Sequence, residues 1–110
     1  MKFTSKSLKI EGAYILTRST FLDERGEFSR IFDNLFFEDK LEDKVRNINY
    51  SYNPLKNTFR GFHGCSNPSS SETKVIVPIS GSIIDFIYDP SANNNKGLLE
   101  IQKLSASKKE

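Results

Sequence analysis

The chain has one cysteine and one histidine, which leaves it poor in the residue types that most often hold transition metals. Cys65 alone cannot form an internal disulfide. His63 and Cys65 together fall short of the roughly three protein ligands that a transition-metal site requires, so no metal is expected. Long apolar runs are missing as well. A stretch such as residues 75–79 is far below the ~20 residues of a membrane-spanning helix, and no membrane span is expected. Met1-Lys2-Phe3-Thr4 does not lead into the apolar run of a signal peptide, which with the cysteine count points to a cytoplasmic protein. An excess of one charge sign is absent too: sixteen basic residues stand against fourteen acidic ones, for a formal charge of +2. That balance argues against a nucleic-acid partner bound by phosphate neutralisation. Within 110 residues one domain, residues 1–110, with a thin core is expected. Neither "NPSSSET" (67–73) nor "DPSANNNKG" (89–97) is long enough to be a linker between domains.

Short runs of β-branched and aromatic residues, separated by Gly, Asn, Pro and Ser, predict a mostly β fold. The candidate strands are 7–10, 13–17, 27–32, 45–52, 58–63, 74–79, 82–89 and 98–104. Only "DNLFFEDKLEDK" (33–44) has helical character, with Asp33 or Asn34 as cap and Leu35, Phe36 and Leu41 as an apolar stripe. "TKVIVPIS-GS-IIDFIYD" reads as two strands joined at Ser80-Gly81, because glycine supplies the positive φ of a tight hairpin turn. Alternation places Ile83, Asp85, Ile87 and Asp89 on one strand face, which is either half solvated or the lining of a polar cavity. "SASKKE" (105–110) has the composition of a frayed tail.

The chemistry concentrates in "FRGFHGCSNPSSSETKV" (59–75). His63 is the only side chain whose unperturbed pKa lies near neutrality, which makes it the natural proton acceptor if the protein is an enzyme; a structural or surface histidine is the plainer alternative. Arg60 is suited to an anion such as a phosphate, Lys74 to a developing oxyanion, and Asp85 to tuning either. Strict alternation sets Arg60 and His63 on opposite faces of one strand, unless Gly61 marks a bulge that reverses the facing of the residues after it. Cys65 with His63 as base lacks the oxyanion-hole signatures of thiol catalysis.

"FLDERGEF" (21–28), "NYSYN" (49–53), "FRGFHG" (59–64), "TKVIVPISGSIIDFIYD" (73–89) and "LEIQKLSASKKE" (99–110) occur in the order found in dTDP-4-dehydrorhamnose 3,5-epimerases, and the chain resembles that family over nearly its whole length. The resemblance implies a cupin-like jelly roll, here an incomplete barrel with one short helix near residues 34–43, a homodimer, and no metal or other cofactor. It implies a nucleotide-diphosphate sugar as substrate, with a proton removed beside the ketone of a 4-keto-6-deoxy hexose in deoxysugar or cell-surface polysaccharide synthesis. His63 matches the family's base, Lys74 the lysine at the enolate oxygen, and Asp85 an acid of the same pocket. Arg25 and Arg60 match positions that contact the nucleotide diphosphate, and Asn49 matches one lining the site.

The chain also departs from the family's pattern. Arg30 stands where a glutamate is common, Cys65 replaces a glutamine two residues after the histidine, and Val77 replaces an arginine. The family continues beyond "LSASKKE" into strands bearing a second histidine, the proton-donor tyrosine and a supporting aspartate, so the resemblance implies a chain truncated at its C-terminus. None of Tyr14, Tyr50, Tyr52 or Tyr88 matches the donor's motif. Other readings are a non-catalytic nucleotide-sugar-binding or interaction module, and half of a split enzyme.

Overall fold

The computed structural model describes residues 2–38, 44–64 and 72–110. Its strands form three antiparallel hairpins: β1 (Phe3–Ser7) with β2 (Tyr14–Arg18), β3 (Thr20–Asp23) with β4 (Gly26–Ser29), and β5 (Ser82–Asp89) with β6 (Leu98–Ser105). One short helix, α1 (Asn34–Phe37), a turn at Ala92–Asn95 whose Asn93 and Asn94 have left-handed rather than helical φ/ψ, and a 3-10 turn at Ala106–Lys108 complete the elements. The fold is mostly β, in small antiparallel sheets with no closed barrel among the described residues, as a partial cupin-like fold requires.

Each hairpin is closed by chemistry in its own loop. Between β1 and β2, Leu8 N–H donates to the Ala13 carbonyl at 2.9 Å and Ile10 turns inward to become buried. Between β3 and β4, Asp23 faces Gly26 in the ladder, leaving Glu24 and Arg25 as a two-residue loop. The Asp23 carboxylate accepts the Arg25 backbone N–H at 2.8 Å, the local closure that makes aspartate a turn residue. Between β5 and β6 the chain passes through Asn93, Asn94 and Asn95, all at positive φ near 60°, where asparagine is tolerated better than most residues. Gly97 comes next but one at φ +85°, and a Cβ there would run into the Tyr88 ring. The Asp89 carboxylate starts this loop by accepting the Ser91 hydroxyl at 2.8 Å and its backbone N–H at 3.0 Å.

The alternation expected over 82–89 is present from Asp85 on: Asp85, Ile87 and Asp89 are half-buried, while Phe86 and Tyr88 are exposed; Ile83, expected on the inner face, is exposed as Ile84 is. In β6 the inner positions are Leu98, Glu100, Gln102 and Leu104. Asp85 lies opposite Gln102, and Ile87 opposite Glu100.

Four expectations are corrected. Residues 45–52, 58–63 and 74–79 form no strand. Their composition suits a pleated surface, but an extended segment becomes a strand only where another offers a ladder. The hairpin expected at Ser80-Gly81 is not made: residues 74–79 enter no ladder, and β5 pairs with β6. Gly81 does have positive φ (71°), yet its carbonyl accepts the Ala106 N–H and so extends that same ladder; Pro78, with no N–H to give, weakens residues 74–79 as a competing partner. Strand β3, and β1 but for Ser7, fall outside the expected strands, and residues 8–10 of the expected 7–10 strand lie in the β1–β2 loop. The 105–110 segment is not frayed: Lys109 Nζ pairs with Glu27 at 2.6 Å, and the Glu110 carboxylate accepts the Ser105 N–H at 3.2 Å.

The helix begins as expected, with Asp33 accepting the Leu35 N–H at 3.0 Å; residues 39–43 of the predicted span, Leu41 among them, lie outside the described residues. Its buried side chain is Phe37, 2% exposed, rather than Leu35, 78% exposed. Phe37 lies against Phe3, Phe32 and Phe36 with ring centroids 4.8 to 5.9 Å apart. Beyond this cluster the core is thin, with Ile10, Pro78 and Leu104 the other buried apolar side chains among the described residues. The accessible surface of 9496 Å² exceeds the ~6,200 Å² of a compact monomer of this mass.

Phe37→Ala should destabilise the fold by about 3–5 kcal/mol and Leu35→Ala by less than about 0.5 kcal/mol in urea unfolding, since only the first empties a packed site. The hydrogen bonds from the Ser91 hydroxyl and N–H hold the Asp89 carboxyl below the usual 3.8. Because the folded value is the lower one, the loop's gain from ionised Asp89 is present above pH 3.8 and lost as pH falls through the folded value. An NMR titration should place the Asp89 midpoint below 3.8, and Ser91→Ala should raise it.

Candidate functional site

A cleft of about 1040 Å³ runs between the β1–β2 hairpin, residues 62–64 and 72–77, and the β5–β6 hairpin. His63, Lys74 and Asp85 all line it. Asp85 is placed by the β5 register, on the inner face and opposite Gln102, which lines the cleft too. His63 is carried by an irregular segment fastened to β5 through aromatic edges: Phe59 and Phe62 at 5.7 Å, then Phe62 and Phe86 at 6.5 Å, both T-shaped. Gly61 makes that segment possible. Its φ of +139° is one a side chain would strain, and the position of its absent Cβ is 3.7 Å from His63 Nδ1 and 3.9 Å from the Phe59 ring. The imidazole and the ring therefore sit over bare backbone. Lys74 Nζ is 3.7 Å from a Glu72 carboxylate oxygen, and both side chains are about half exposed. A pair of that kind contributes ~0–1 kcal/mol, so the ammonium is readily released to another anion.

Arg60 lines a second, smaller cleft of about 300 Å³ with Asn57, Thr58 and Phe59. Asp85 and Phe86 border both clefts and form the ridge between them. Arg25 sits at the tip of the β3–β4 hairpin and lines neither. Its guanidinium meets the Asp23 carboxylate at 2.7 Å, which raises the arginine's pKa and lowers the aspartate's. Asn49 lies in an exposed irregular stretch and lines neither cleft. Cys65 lies outside the described residues.

The large cleft thus holds an imidazole, an ammonium and a carboxylate within partly apolar walls that include Phe62, Ile76 and Phe86. In such a setting an imidazole can take a proton, and a cation can stabilise the oxyanion that results. Among the described residues no three of His, Cys, Asp and Glu stand close enough to share a metal ion.

Sequence reasoning passed over two polar residues of β6. Glu100 is buried, 7% exposed, and its carboxylate accepts the Lys9 backbone N–H and the Gln102 side-chain amide. Alternation within 98–104 carries the signal: Glu100 and Gln102 share a face with Leu98 and Leu104, where an aliphatic residue would be the ordinary choice.

No curated protein and no solved structure matches the chain. The sequence model of the family described as dTDP-4-dehydrorhamnose 3,5-epimerase matches residues 7–110, which takes in all three hairpins but for the first strand's opening residues, and both clefts but for Phe3. With that match running through His63, Lys74 and Asp85, the chain belongs to the dTDP-4-dehydrorhamnose 3,5-epimerase family.

Proposed function

We propose that the protein is a nucleotide-sugar 3,5-epimerase acting on a dTDP-linked 4-keto-6-deoxy hexose, in the synthesis of a deoxysugar such as rhamnose or of a surface polysaccharide. The observation that carries this reading is the single cleft lined by His63, Lys74 and Asp85. A ketone acidifies the C–H bonds on its two flanking carbons. His63 takes one of those protons, the bonding pair moves into the ring and onto the ketone oxygen, and the Lys74 ammonium stabilises the enolate. Return of a proton from solvent in the open cleft to the opposite face inverts the carbon, since none of Tyr14, Tyr50, Tyr52 or Tyr88 matches the family's donor motif. The reaction removes and restores a proton with no net change of oxidation state, so its chemistry calls for no redox cofactor. Asp85 keeps its place in the catalytic group as an acceptor on the same wall. Arg60, across the Asp85–Phe86 ridge, is assigned the diphosphate, together with Arg25 once it leaves Asp23, and Asn49 is assigned to the substrate's rim.

The same reading makes residues 1–110 one domain of a cytoplasmic homodimer. No helix among the described residues is long and apolar enough to cross a membrane. On β5–β6, Ile84, Phe86, Tyr88 and Leu99 are exposed apolar residues that border the two clefts, and Ile101 is exposed outside both, the position left for contact with a second copy.

With dTDP-4-keto-6-deoxyglucose in deuterium oxide, the wild-type protein should incorporate deuterium at the carbons beside the ketone, read by NMR. His63→Ala should slow that exchange by about 10²–10⁴-fold and Lys74→Met by about 10²–10³-fold. Exchange at the wild-type rate in His63→Ala removes the histidine from the mechanism. Ile101→Lys should convert the dimer to monomer at micromolar concentration in sedimentation velocity; an unchanged dimer would place the interface elsewhere.

A further inference from the structure

From the β6 pair Glu100 and Gln102 we infer a sugar-hydroxyl subsite on the wall of the large cleft, with Gln102 as the ligand-contacting residue and Glu100 as the residue that sets its polarity. The inference rests on the reading of this cleft as a sugar site. Glu100 is buried, and among the described residues no lysine or arginine pairs with it. Its hydrogen-bond donors are the backbone N–H of Lys9 and the side-chain nitrogen of Gln102, the latter at 3.2 Å. An ionised carboxylate only accepts, so it fixes which end of the Gln102 amide faces it: the NH2 group turns to Glu100 and the carbonyl Oε1 turns away. Gln102 lines the cleft, directly across the ladder from Asp85, which lines it too. Side chains paired across an antiparallel ladder stand about 4.5–5.5 Å apart at Cβ. The wall therefore presents two neighbouring acceptors, the Asp85 carboxylate and the Gln102 carbonyl. Two acceptors side by side fit two donors side by side, which is what adjacent hydroxyl groups on a sugar ring supply.

Glu100 accordingly acts through Gln102 and is a positioning residue. Glu100→Gln makes a sharp prediction. The amide so installed must accept from the Lys9 N–H with its oxygen, which turns its NH2 group toward Gln102. Gln102 then flips to accept, and its own NH2 group faces the cleft in place of the carbonyl. The cleft keeps its shape and loses one acceptor.

Two probes test this by calorimetry: dTDP-glucose, which carries adjacent sugar hydroxyls, and dTDP, which carries none on a hexose. Gln102→Met should weaken dTDP-glucose by about five- to tenfold, the loss expected for one neutral hydrogen bond, and leave dTDP unchanged. Glu100→Gln should weaken dTDP-glucose to a similar degree, again with dTDP unchanged, and should shift the Gln102 side-chain amide cross-peaks in a 15N–1H spectrum. Gln102→Asn, which keeps the amide, should recover part of the loss. Equal affinities for dTDP-glucose in wild type and Gln102→Met overturn the subsite, as does a parallel loss for both probes or a wild-type protein that binds neither. Circular dichroism on each variant separates misfolding from lost contact, and Gln102→Leu serves if Gln102→Met fails to fold. Lack of deuterium exchange in the keto sugar, with Gln102-dependent binding of dTDP-glucose intact, would refute the epimerase mechanism and leave the subsite standing.

Discussion

Arg18 is where the three hairpins are joined. It ends β2, its backbone N–H donates to the Lys109 carbonyl at 3.0 Å, its Nε donates to the Ser29 hydroxyl at the end of β4 at 3.2 Å, and its Nη1 donates to the Glu110 carbonyl at 2.9 Å. One guanidinium thereby connects the first hairpin to the second and to the turn after the third. Lys109, in the same turn, adds an ion pair with Glu27 of β4. These polar links have unusual weight because so little apolar surface is buried elsewhere. In a larger core a few hydrogen bonds contributing about 1 kcal/mol each would be incidental. In this chain they decide how the hairpins are disposed, and with that where the cleft lies, since Arg18 and Lys109 line it themselves.

The β5–β6 hairpin gives the cleft its character through its two faces. One face is apolar and exposed at Ile84, Tyr88, Leu99 and Ile101, with Tyr88 and Leu99 at the border of the large cleft and Ile84 at the small one. The inward face mixes Ile87, Leu98 and Leu104 with Asp85, Glu100 and Gln102. Period-2 alternation keeps the sets apart, and a slip of one residue in register would exchange them, turning the acceptors away from His63 and Lys74. The left-handed asparagines and Gly97 in the connecting loop hold that register against the slip.

Local signals are legible in the sequence to the extent that their causes are local. The Asp33 cap is readable because a short polar side chain before an apolar run has one helix-starting use. The Asp85 face is readable because alternation is a property of a single strand. Pairing is not readable in the same way. Residues 74–79 have the composition of a strand, but a ladder needs a second segment in pairing position, and among the described residues β5 pairs with β6 alone. The tail escapes a local reading for a related reason: Ser105, Lys109 and Glu110 are polar and small or charged, as a frayed end would be, and the partners Arg18 and Glu27 lie some 80 to 90 residues away in sequence. At the candidate site, His63 and Lys74 stand out by chemical type, whereas Glu100 and Gln102 show in the sequence only as polar residues on an aliphatic strand face, and their burial and partners come from the fold.

The inner face of β5–β6 shows what a site costs a small domain. Each of Asp85, Glu100 and Gln102 occupies a position where a leucine would contribute about 1.5–3 kcal/mol of burial. Glu100 costs more than that, since a buried carboxylate must recover its lost hydration from whatever donors it finds, and it finds a backbone N–H and an amide. A face built for stability alone would be aliphatic throughout and would close on the β1–β2 hairpin as core. With three polar groups in its middle it cannot collapse, and the space remains open to solvent and ligand. The thin core and the large cleft belong together: Asp85 and Gln102 line the cleft at positions where aliphatic residues would have packed.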